Sequence, residues 1–322
     1  MSDSLSHRMG PGDLDLLAGP LIYVMGPTAS GKSALALTLA EALQGEIVNA
    51  DSVQVYRGMD IGTAKPTLEE RRRVPHHLLD VADPRQPFSA GQFREMALRV
   101  IADCRRRRRI PVITGGTGLY FRVLERGLAP TPPVPAALVR LLHEEGERLG
   151  WPHLHARLRE VDPVFAAAVT PGDSQRITRG LSVYQATGEN LTLWQSRKSA
   201  PLPFRILKLA PQWPREELYR RIHQRFDLML EAGLEDEVRA LRAAAVPAEA
   251  PAMKAVGYRQ LLGWLEGRTD FATAVASARQ ESRRYAKRQI TWLRGEEGLC
   301  WLPQGDAPRA MALARAFLQG GS

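Results

Sequence analysis

A glycine-rich segment that ends in lysine and serine is the part of this sequence whose residue types and spacing best fit a defined chemistry. It consists of Gly26, Pro27, Thr28, Ala29, Ser30, Gly31, Lys32 and Ser33. Glycines allow backbone N–H groups to curl around an anion, and the lysine brings a positive charge to phosphoryl oxygens. The serine after that lysine is a usual ligand of the accompanying Mg²⁺. The segment therefore predicts a binding site for a diphosphate or triphosphate, with Ser33 as the metal ligand.

A single acid, Asp51, is the second candidate for chemistry. It follows Glu46–Ala50, which is short, apolar in its middle and predicted to form a strand. Ligands of open α/β sheets bind outside the carboxyl ends of the strands, so Asp51 is expected to face the phosphate site. The residues alone leave three roles open for it: metal ligand, general base, or N-cap of a following helix.

The elements that must position these residues alternate between strand and helix. The apolar run at residues 21–25 predicts a strand before the phosphate loop, and the Ala- and Leu-rich residues 34–43 predict a helix after it. Two further strands are predicted at residues 110–114 and 205–209. The pattern predicts an α/β fold with a P-loop NTPase-like core, in which helices flank a parallel sheet.

The middle of the chain differs from this pattern. A Pro-rich junction at residues 127–135 precedes a long stretch with helical periodicity and no convincing strand. We therefore expect an all-helical insertion domain at residues 131–204, set into a core formed by residues 20–130 and 205–322. Residues 1–19 are polar, contain Gly-Pro and are expected to form a mobile tail.

Composition favours a polyanionic partner. The 322 residues include 44 Lys and Arg against 35 Asp and Glu, a net charge of +9. Six basic residues fall between Arg279 and Arg294, several of them on one stripe of a helix. From the pattern alone, a solvated basic face explains this segment equally well. The run of arginines at residues 105–109 is better explained by charge at the end of a helix.

Other classes of protein are disfavoured. No apolar run reaches the length of about 18 residues that a transmembrane helix needs, so no membrane association is expected. Cys104 and Cys300 are far apart and predict neither a zinc site nor a disulfide framework. His76 and His77 are expected to be structural, and the cytoplasm is the expected compartment.

Several longer blocks of the sequence resemble the tRNA dimethylallyltransferases, also called tRNA isopentenyltransferases. The blocks occur in the order of that family and span about residues 21 to 302. Outside the phosphate loop they are residues 51–66, 75–80, 115–120, 175–179, 256–260 and 286–294. Phosphate loops occur in many families, but the blocks at 61–66 and 287–294 are specific to this one.

The resemblance implies a reaction and a set of partners. Members of the family transfer a dimethylallyl group from dimethylallyl diphosphate to N6 of the adenosine directly 3′ of the tRNA anticodon, and they release diphosphate. It implies that Mg²⁺ and Lys32 neutralise the leaving diphosphate, and that Thr117 contacts substrate close to it. Of the three roles open for Asp51, the resemblance favours the general base that removes a proton from the attacking amine.

The resemblance also implies which residues contact the tRNA anticodon stem-loop. They lie in the core and in the helical insertion, and the protein is expected to act as a monomer. The residues are Asp51, Ser52, Val53, Gln54, Thr117, Gln175, Arg176, Ile177, Thr178, Arg179, Lys254, Ala255, Val256, Gly257, Tyr258, Arg259, Arg283, Arg284, Lys287 and Arg288.

Two other functions share parts of this pattern. A P-loop small-molecule kinase with a helical lid would use the same loop, with Asp51 on Mg²⁺. It leaves the basic helix and the block at 61–66 unexplained. A non-catalytic RNA-binding module would leave Asp51 without a role.

Overall fold

The computed structural model describes residues 17–197 and 202–320. Within this range, β1 to β6 are Gly19–Met25, Gly45–Asn49, His76–His77, Ile110–Gly115, Phe204–Gln212 and Leu299–Pro303. The helices α1 to α9 are Lys32–Ala42, Leu68–Arg73, Ala90–Arg106, Gly118–Arg126, Ala136–Leu149, Trp151–Val161, Pro163–Ala167, Ser174–Thr187 and Leu191–Ser196. The helices α10 to α14 are Arg215–Glu231, Leu234–Ala243, Tyr258–Leu265, Phe271–Leu293 and Ala307–Gln319.

The six strands form one parallel sheet with the order β3-β2-β4-β1-β5-β6. The central strands are apolar and almost fully buried because helices cover both faces of the sheet. Since β2, β4 and β1 are neighbours, the segments that follow their carboxyl ends lie side by side. The predicted α/β fold class is confirmed.

The chain forms two compact units. One comprises the described chain up to Glu125 and again from Leu202, and it contains the whole sheet. The other begins at Arg126 and is helical throughout its described part, with α5 to α9 around an apolar core that includes Leu154, Leu158 and Ile177. A side chain at Gly180 would come within 2.6 Å of Leu158, so glycine lets α8 pack closely on α6.

Two predicted boundaries differ from the structure. Leu17 is fully buried and β1 already begins at Gly19, so the last residues of the expected tail belong to the core. The remainder of that tail, residues 1–16, lies outside the described residues. β5 begins at Phe204, one residue inside the predicted insertion, because Phe204 pairs with Gly19. No described helix is long and apolar enough to cross a bilayer.

Candidate active site

The phosphate loop leads directly from β1 into α1. Gly31 has φ +86° and precedes the first residue of α1, which places the positive end of that helix at the loop. Two carbonyl groups of the loop are bound by residues around the start of α10. Arg221 Nε donates to the carbonyl of Ala29 at 3.0 Å, and Trp213 Nε1 donates to that of Ser30 at 2.8 Å. With its carbonyls held outward, the loop can direct its N–H groups toward an anion.

The Ser30 hydroxyl, unlike the two carbonyl groups, has no hydrogen-bond partner among the described residues. Ser30 is 1% exposed. A buried hydroxyl without a partner is costly, and an oxygen of a bound phosphate would supply one.

Asp51 lies two residues beyond the end of β2, as the sequence predicts. Buried Asn49 fixes its backbone: Asn49 Oδ1 accepts from the Asp51 N–H at 3.1 Å, while Asn49 Nδ2 donates to the carbonyls of Asp51 and Leu78. One carboxylate oxygen, Oδ1, accepts from the Val53 N–H at 3.0 Å. Asp51 is therefore held by its own loop, half-buried, at the carboxyl edge of the sheet.

Thr117 follows the end of β4, the strand that lies between β2 and β1 in the sheet. Its N–H donates to the carbonyl of Ala50 at 3.3 Å, and its Oγ1 accepts from the Ser52 N–H at 2.9 Å. The approach is close, since a side chain at Gly115 would come within 2.1 Å of the Ala50 carbonyl oxygen. Thr117 is thus bound on both sides of Asp51.

A cavity of about 1280 Å³ joins the phosphate loop to the segment that begins at Asp51, and Thr117 lies outside its wall. Its wall includes residues 28–33 of the phosphate loop, Asp51 to Gln54, and the loop at residues 60–67. The cations that line it are Lys32, Lys65, Arg71, Arg221, Arg225, Lys254 and Arg288. Two of its acids are balanced by two of these cations, because Lys65 pairs with Asp60 at 2.7 Å and with Asp80 at 2.5 Å, and Arg71 pairs with Asp80 at 2.9 Å. The remaining positive charge suits a polyphosphate or nucleic-acid ligand.

Lys32 and Arg225 are two cations of the cavity whose pKa values are lowered by burial. Burial lowers the pKa of the Lys32 ammonium to about 8; nearby Asp51 opposes this decrease and Arg225 adds to it. The Arg225 guanidinium is itself desolvated by burial, which lowers its pKa, and Asp51 again opposes the decrease. Both cations are therefore poorly solvated, and a phosphate anion would stabilise each of them.

The residues expected to contact tRNA are placed differently. Lys254, Ala255 and Val256 line the cavity, whereas Gly257 is buried at φ +93° and Arg259 approaches Glu281 at 4.0 Å. Tyr258 is fully buried and its hydroxyl donates to Glu237. The tRNA contact expected of Tyr258 stays a prediction; its side chain packs in the core beside the cavity.

The basic stripe predicted on α13 divides into two sets. Arg279 pairs with Asp227, and Arg283 contacts His223 at 3.0 Å, so both face α10. Arg284 and Lys287 are exposed. Arg288 lines the cavity, and its guanidinium lies 5.7 Å from the centre of the Tyr285 ring. Arg284 pairs with Glu281 at 2.5 Å, so Lys287 and Arg288 are the members of the second set for which no ion pair is found among the described residues.

In the helical unit, the block at 175–179 lies in the first half of α8. Gln175, Arg176 and Arg179 are exposed, whereas Ile177 and Thr178 are buried in the core of the unit. The tRNA contacts expected of Ile177 and Thr178 stay predictions, and in this structure both side chains are buried. Arg176 is also engaged locally, since it donates to the carbonyl of Ala168 at 2.7 Å and lies over the Phe165 ring.

One cluster contains both His77, which is expected to be structural, and Cys104, for which no zinc site is expected. Glu46, His77 and Cys104 bring three metal-ligand types within 4.8 Å of one another. Arg107 already binds both carboxylate oxygens of Glu46, and His77 Nε2 donates to Glu46 Oε2 at 2.7 Å. Burial, followed by the charge of Glu46, raises the pKa of the Cys104 thiol to about 12, so it stays protonated. The cluster is a paired core network, in agreement with a structural His77 and with arginines that pair at a helix end.

Three site residues had no signal in the sequence. Arg221 and Trp213 hold the phosphate loop from nearly 200 positions away along the chain. Tyr285 is hydrogen-bonded with Thr117, and burial together with the charge of Asp51 raises its pKa above the ordinary value. The sequence shows that Arg221 lies in a helical pattern. It does not show which segment these three side chains contact, because that depends on the fold.

The sheet, the loop and the cavity define an α/β enzyme of the P-loop class with a site for a phosphorylated ligand. The family model described as "IPP transferase" matches residues 54–296, and the one described as "Isopentenyl transferase" matches residues 20–83. The chain is 55% identical over 301 residues to the tRNA dimethylallyltransferase of Magnetococcus marinus, which covers 92% of this chain and 98% of that one. The chain therefore belongs to the IPP transferase family, that of the tRNA dimethylallyltransferases, and the expected family is confirmed.

Solved structures agree with this assignment. The full-length tRNA isopentenylpyrophosphate transferase of Bacillus halodurans has a TM-score of 0.70 and 33% identity, covering 93% of this chain and 97% of its own. A eukaryotic dimethylallyltransferase, described as acting on tRNA, has a TM-score of 0.81 and 27% identity, covering 94% and 80%.

Proposed function

We propose that this protein transfers a dimethylallyl group from dimethylallyl diphosphate to N6 of the adenosine 3′-adjacent to the anticodon of tRNA, and releases diphosphate. The observation that carries the proposal is the meeting of the phosphate loop and Asp51 in one cationic cavity. A donor with a good anionic leaving group and an acceptor that must lose a proton need those two features together.

The phosphate loop holds the diphosphate of the donor. Lys32 and Arg225 are desolvated cations close to Asp51, and the buried Ser30 hydroxyl has an unused hydrogen bond. Negative charge that grows on the leaving oxygen as the allylic C–O bond breaks would be stabilised by these groups. The loop thus serves a leaving group rather than the transfer of a phosphoryl group.

Asp51 is the base of the reaction. The lone pair of N6 forms a bond to C1 of the dimethylallyl group, the C1–O bond breaks, and its electron pair leaves with diphosphate. The proton lost from N6 passes to the Asp51 carboxylate, whose Oδ1 is already held by the Val53 N–H. Thr117 keeps the backbone on either side of Asp51 in place.

A divalent metal fits the donor set of the loop. The Ser33 hydroxyl lines the cavity and is a hard oxygen donor of the kind that Mg²⁺ prefers. Ser33 would hold the ion beside the diphosphate, and the ion would supply further neutralisation of its charge.

The tRNA is bound through exposed or cavity-lining residues of both units. In the core these are Lys254, Ala255, Val256, Arg259, Arg284, Lys287 and Arg288; in the helical unit they are Gln175, Arg176 and Arg179. The target base leaves its stack to reach Asp51, as bases do in enzymes that modify them. The enzyme acts as a monomer in the cytoplasm, where its tRNA substrate is found.

The test is label transfer from dimethylallyl diphosphate to unmodified total tRNA with Mg²⁺, beside an ATP-hydrolysis assay of the same preparation. The expected result is label on the adenosine next to the anticodon without ATP turnover. Phosphate release from ATP without label transfer would instead support the hypothesis of a P-loop small-molecule kinase.

A further inference from the structure

One buried amide joins the two sides of the active site. Gln289 lies on α13, is 6% exposed, and uses both ends of its side chain. Its Oε1 accepts from the N–H of Thr28 in the phosphate loop at 2.9 Å. Its Nε2 donates to the carbonyl of Gly116, in the turn that carries Thr117, also at 2.9 Å.

The turn is shaped to receive this amide. A side chain at Gly116 would lie 2.2 Å from Gln289 Nε2, so glycine at that position leaves room for the bond. The next residue, Thr117, binds the backbone of Ala50 and Ser52 on either side of Asp51. A continuous series of hydrogen bonds therefore runs from the phosphate loop, through Gln289 and Thr117, to the backbone around Asp51.

The same helix carries groups that face the cavity and the outside. Arg288 lines the cavity, whereas Arg284 and Lys287 are exposed beside it. Gln289 is thus a buried residue of a helix whose exposed Lys287 and Arg288 offer charge to a polyanion.

We propose that Gln289 is a positioning residue that keeps the diphosphate site and the Asp51 site in register. It acts through its bonds to Thr28 and to the turn that carries Thr117. Since a misplacement of about 1 Å can cost ~100-fold in rate, two charge-neutral hydrogen bonds at this point have a large effect on transfer. The inference rests on the proposed function for its acceptor and donor.

The first test measures single-turnover transfer at saturating tRNA and dimethylallyl diphosphate for Gln289→Met, which keeps the volume and removes both bonds. We expect a rate ~10- to 100-fold lower, with tRNA affinity within about twofold of wild type. Exposed Gln280 on the same helix gives the matched control Gln280→Met, which leaves the rate unchanged. A rate for Gln289→Met within about twofold of wild type would overturn the proposal. If that variant fails to fold, Gln289→Glu, which loses the donor toward Gly116, replaces it.

A double-mutant cycle with Thr117→Val separates positioning from simple stability. If Gln289 acts through the Thr117 turn, Gln289→Met lowers the rate by less than about threefold in the Thr117→Val background. Independent, multiplicative losses would contradict this.

Binding of inorganic diphosphate with Mg²⁺ needs no transfer reaction, and Gln289→Met should weaken it about three- to tenfold through the loosened loop. Unchanged binding would count against the proposal. A wild-type enzyme that binds diphosphate but transfers no label would refute the proposed function alone.

Discussion

The active-site cavity and the block at 175–179 of the helical unit hold their polar residues in different ways. In the active site, Asp51 is fixed by Asn49 and Val53 of its own loop. The backbone beside it and the phosphate loop are held from distant segments, by Thr117 and Arg221 respectively. On α8, Arg179 is an exposed side chain on a single helix, and Arg176 has only local partners. Chemistry needs fixed atoms, whereas binding to a phosphate backbone tolerates mobile charges. We infer that the cavity determines the rate and the exposed arginines determine affinity.

The largest effect is expected from Asp51→Asn, because it removes the base while its side-chain oxygen can still accept from the Val53 N–H. The single-turnover rate should fall ~10²–10⁴-fold, the usual contribution of a general base. Diphosphate affinity, measured by calorimetry, should change little. Exposed Asp236 provides the control Asp236→Asn, for which no change in rate is expected.

The next effect concerns the pH dependence of donor binding. Because burial lowers the pKa of Lys32 to about 8, its ammonium is charged below that pH and neutral above it. Diphosphate needs the charged form, so affinity should be constant below about pH 8 and fall up to ~10-fold per pH unit above it. Titration with inorganic diphosphate and Mg²⁺ measures this.

The variant Lys32→Arg keeps its charge throughout that pH range. It should therefore lose the decrease in affinity, apart from any part that belongs to titration of the ligand itself. The same decrease in Lys32→Arg as in wild type would show that another group is responsible.

A smaller effect is expected for the support of the loop at residues 60–67. The Glu237 carboxylate accepts from the N–H groups of Asp60, Ile61 and Gly62 at 2.6, 2.8 and 3.0 Å, and from the buried Tyr258 hydroxyl. Glu237→Gln should lower the free energy of unfolding by about 1–3 kcal/mol, since donors lose a charged acceptor. Urea unfolding measures the change.

The same helix offers a control for that prediction. Glu235 forms an exposed pair with Arg239 four residues later, and Glu235→Gln should change the free energy of unfolding by less than about 1 kcal/mol. Equal effects of the two substitutions would show that Glu237 contributes no more than a surface charge.

The smallest effect on chemistry is expected in the helical unit. Arg179→Ala should weaken tRNA binding and reduce the slope of log affinity against log salt by about one, the value for one phosphate contact. Arg176→Ala should do the same and also destabilise the unit, because its bond to Ala168 is lost. Exposed Arg159 on α6 gives the control Arg159→Ala. An unchanged slope for Arg179→Ala would remove α8 from the tRNA interface.

Local sequence patterns predict the phosphate loop, Asp51 and the sheet that carries them, because strands, glycines and charges there act within a few residues of one another. Helical spacing also predicts the basic stripe on α13, but it does not show which side of the helix packs against α10. In the structure Arg279 and Arg283 lie on that side, where they contact Asp227 and His223.

The remaining site residues depend on contacts between distant segments. Gln289 meets Thr28 across 261 positions, and nothing local to Gln289 predicts that bond. Tyr258, Ile177 and Thr178 lie in blocks typical of the family, yet they are buried and stabilise the segments that carry their exposed neighbours. A family block thus marks a site without separating the residues that touch substrate from those that support them.

We expect the cavity to set the rate of transfer and α8 to set the affinity for tRNA. Single-turnover dimethylallyl transfer by Asp51→Asn and Arg179→Ala, each over a range of tRNA concentrations up to saturation, separates the two roles. Saturating tRNA should restore the wild-type rate to Arg179→Ala and leave Asp51→Asn ~10²–10⁴-fold slower. A wild-type rate for Asp51→Asn at saturation, or a persistent loss for Arg179→Ala, would contradict this expectation.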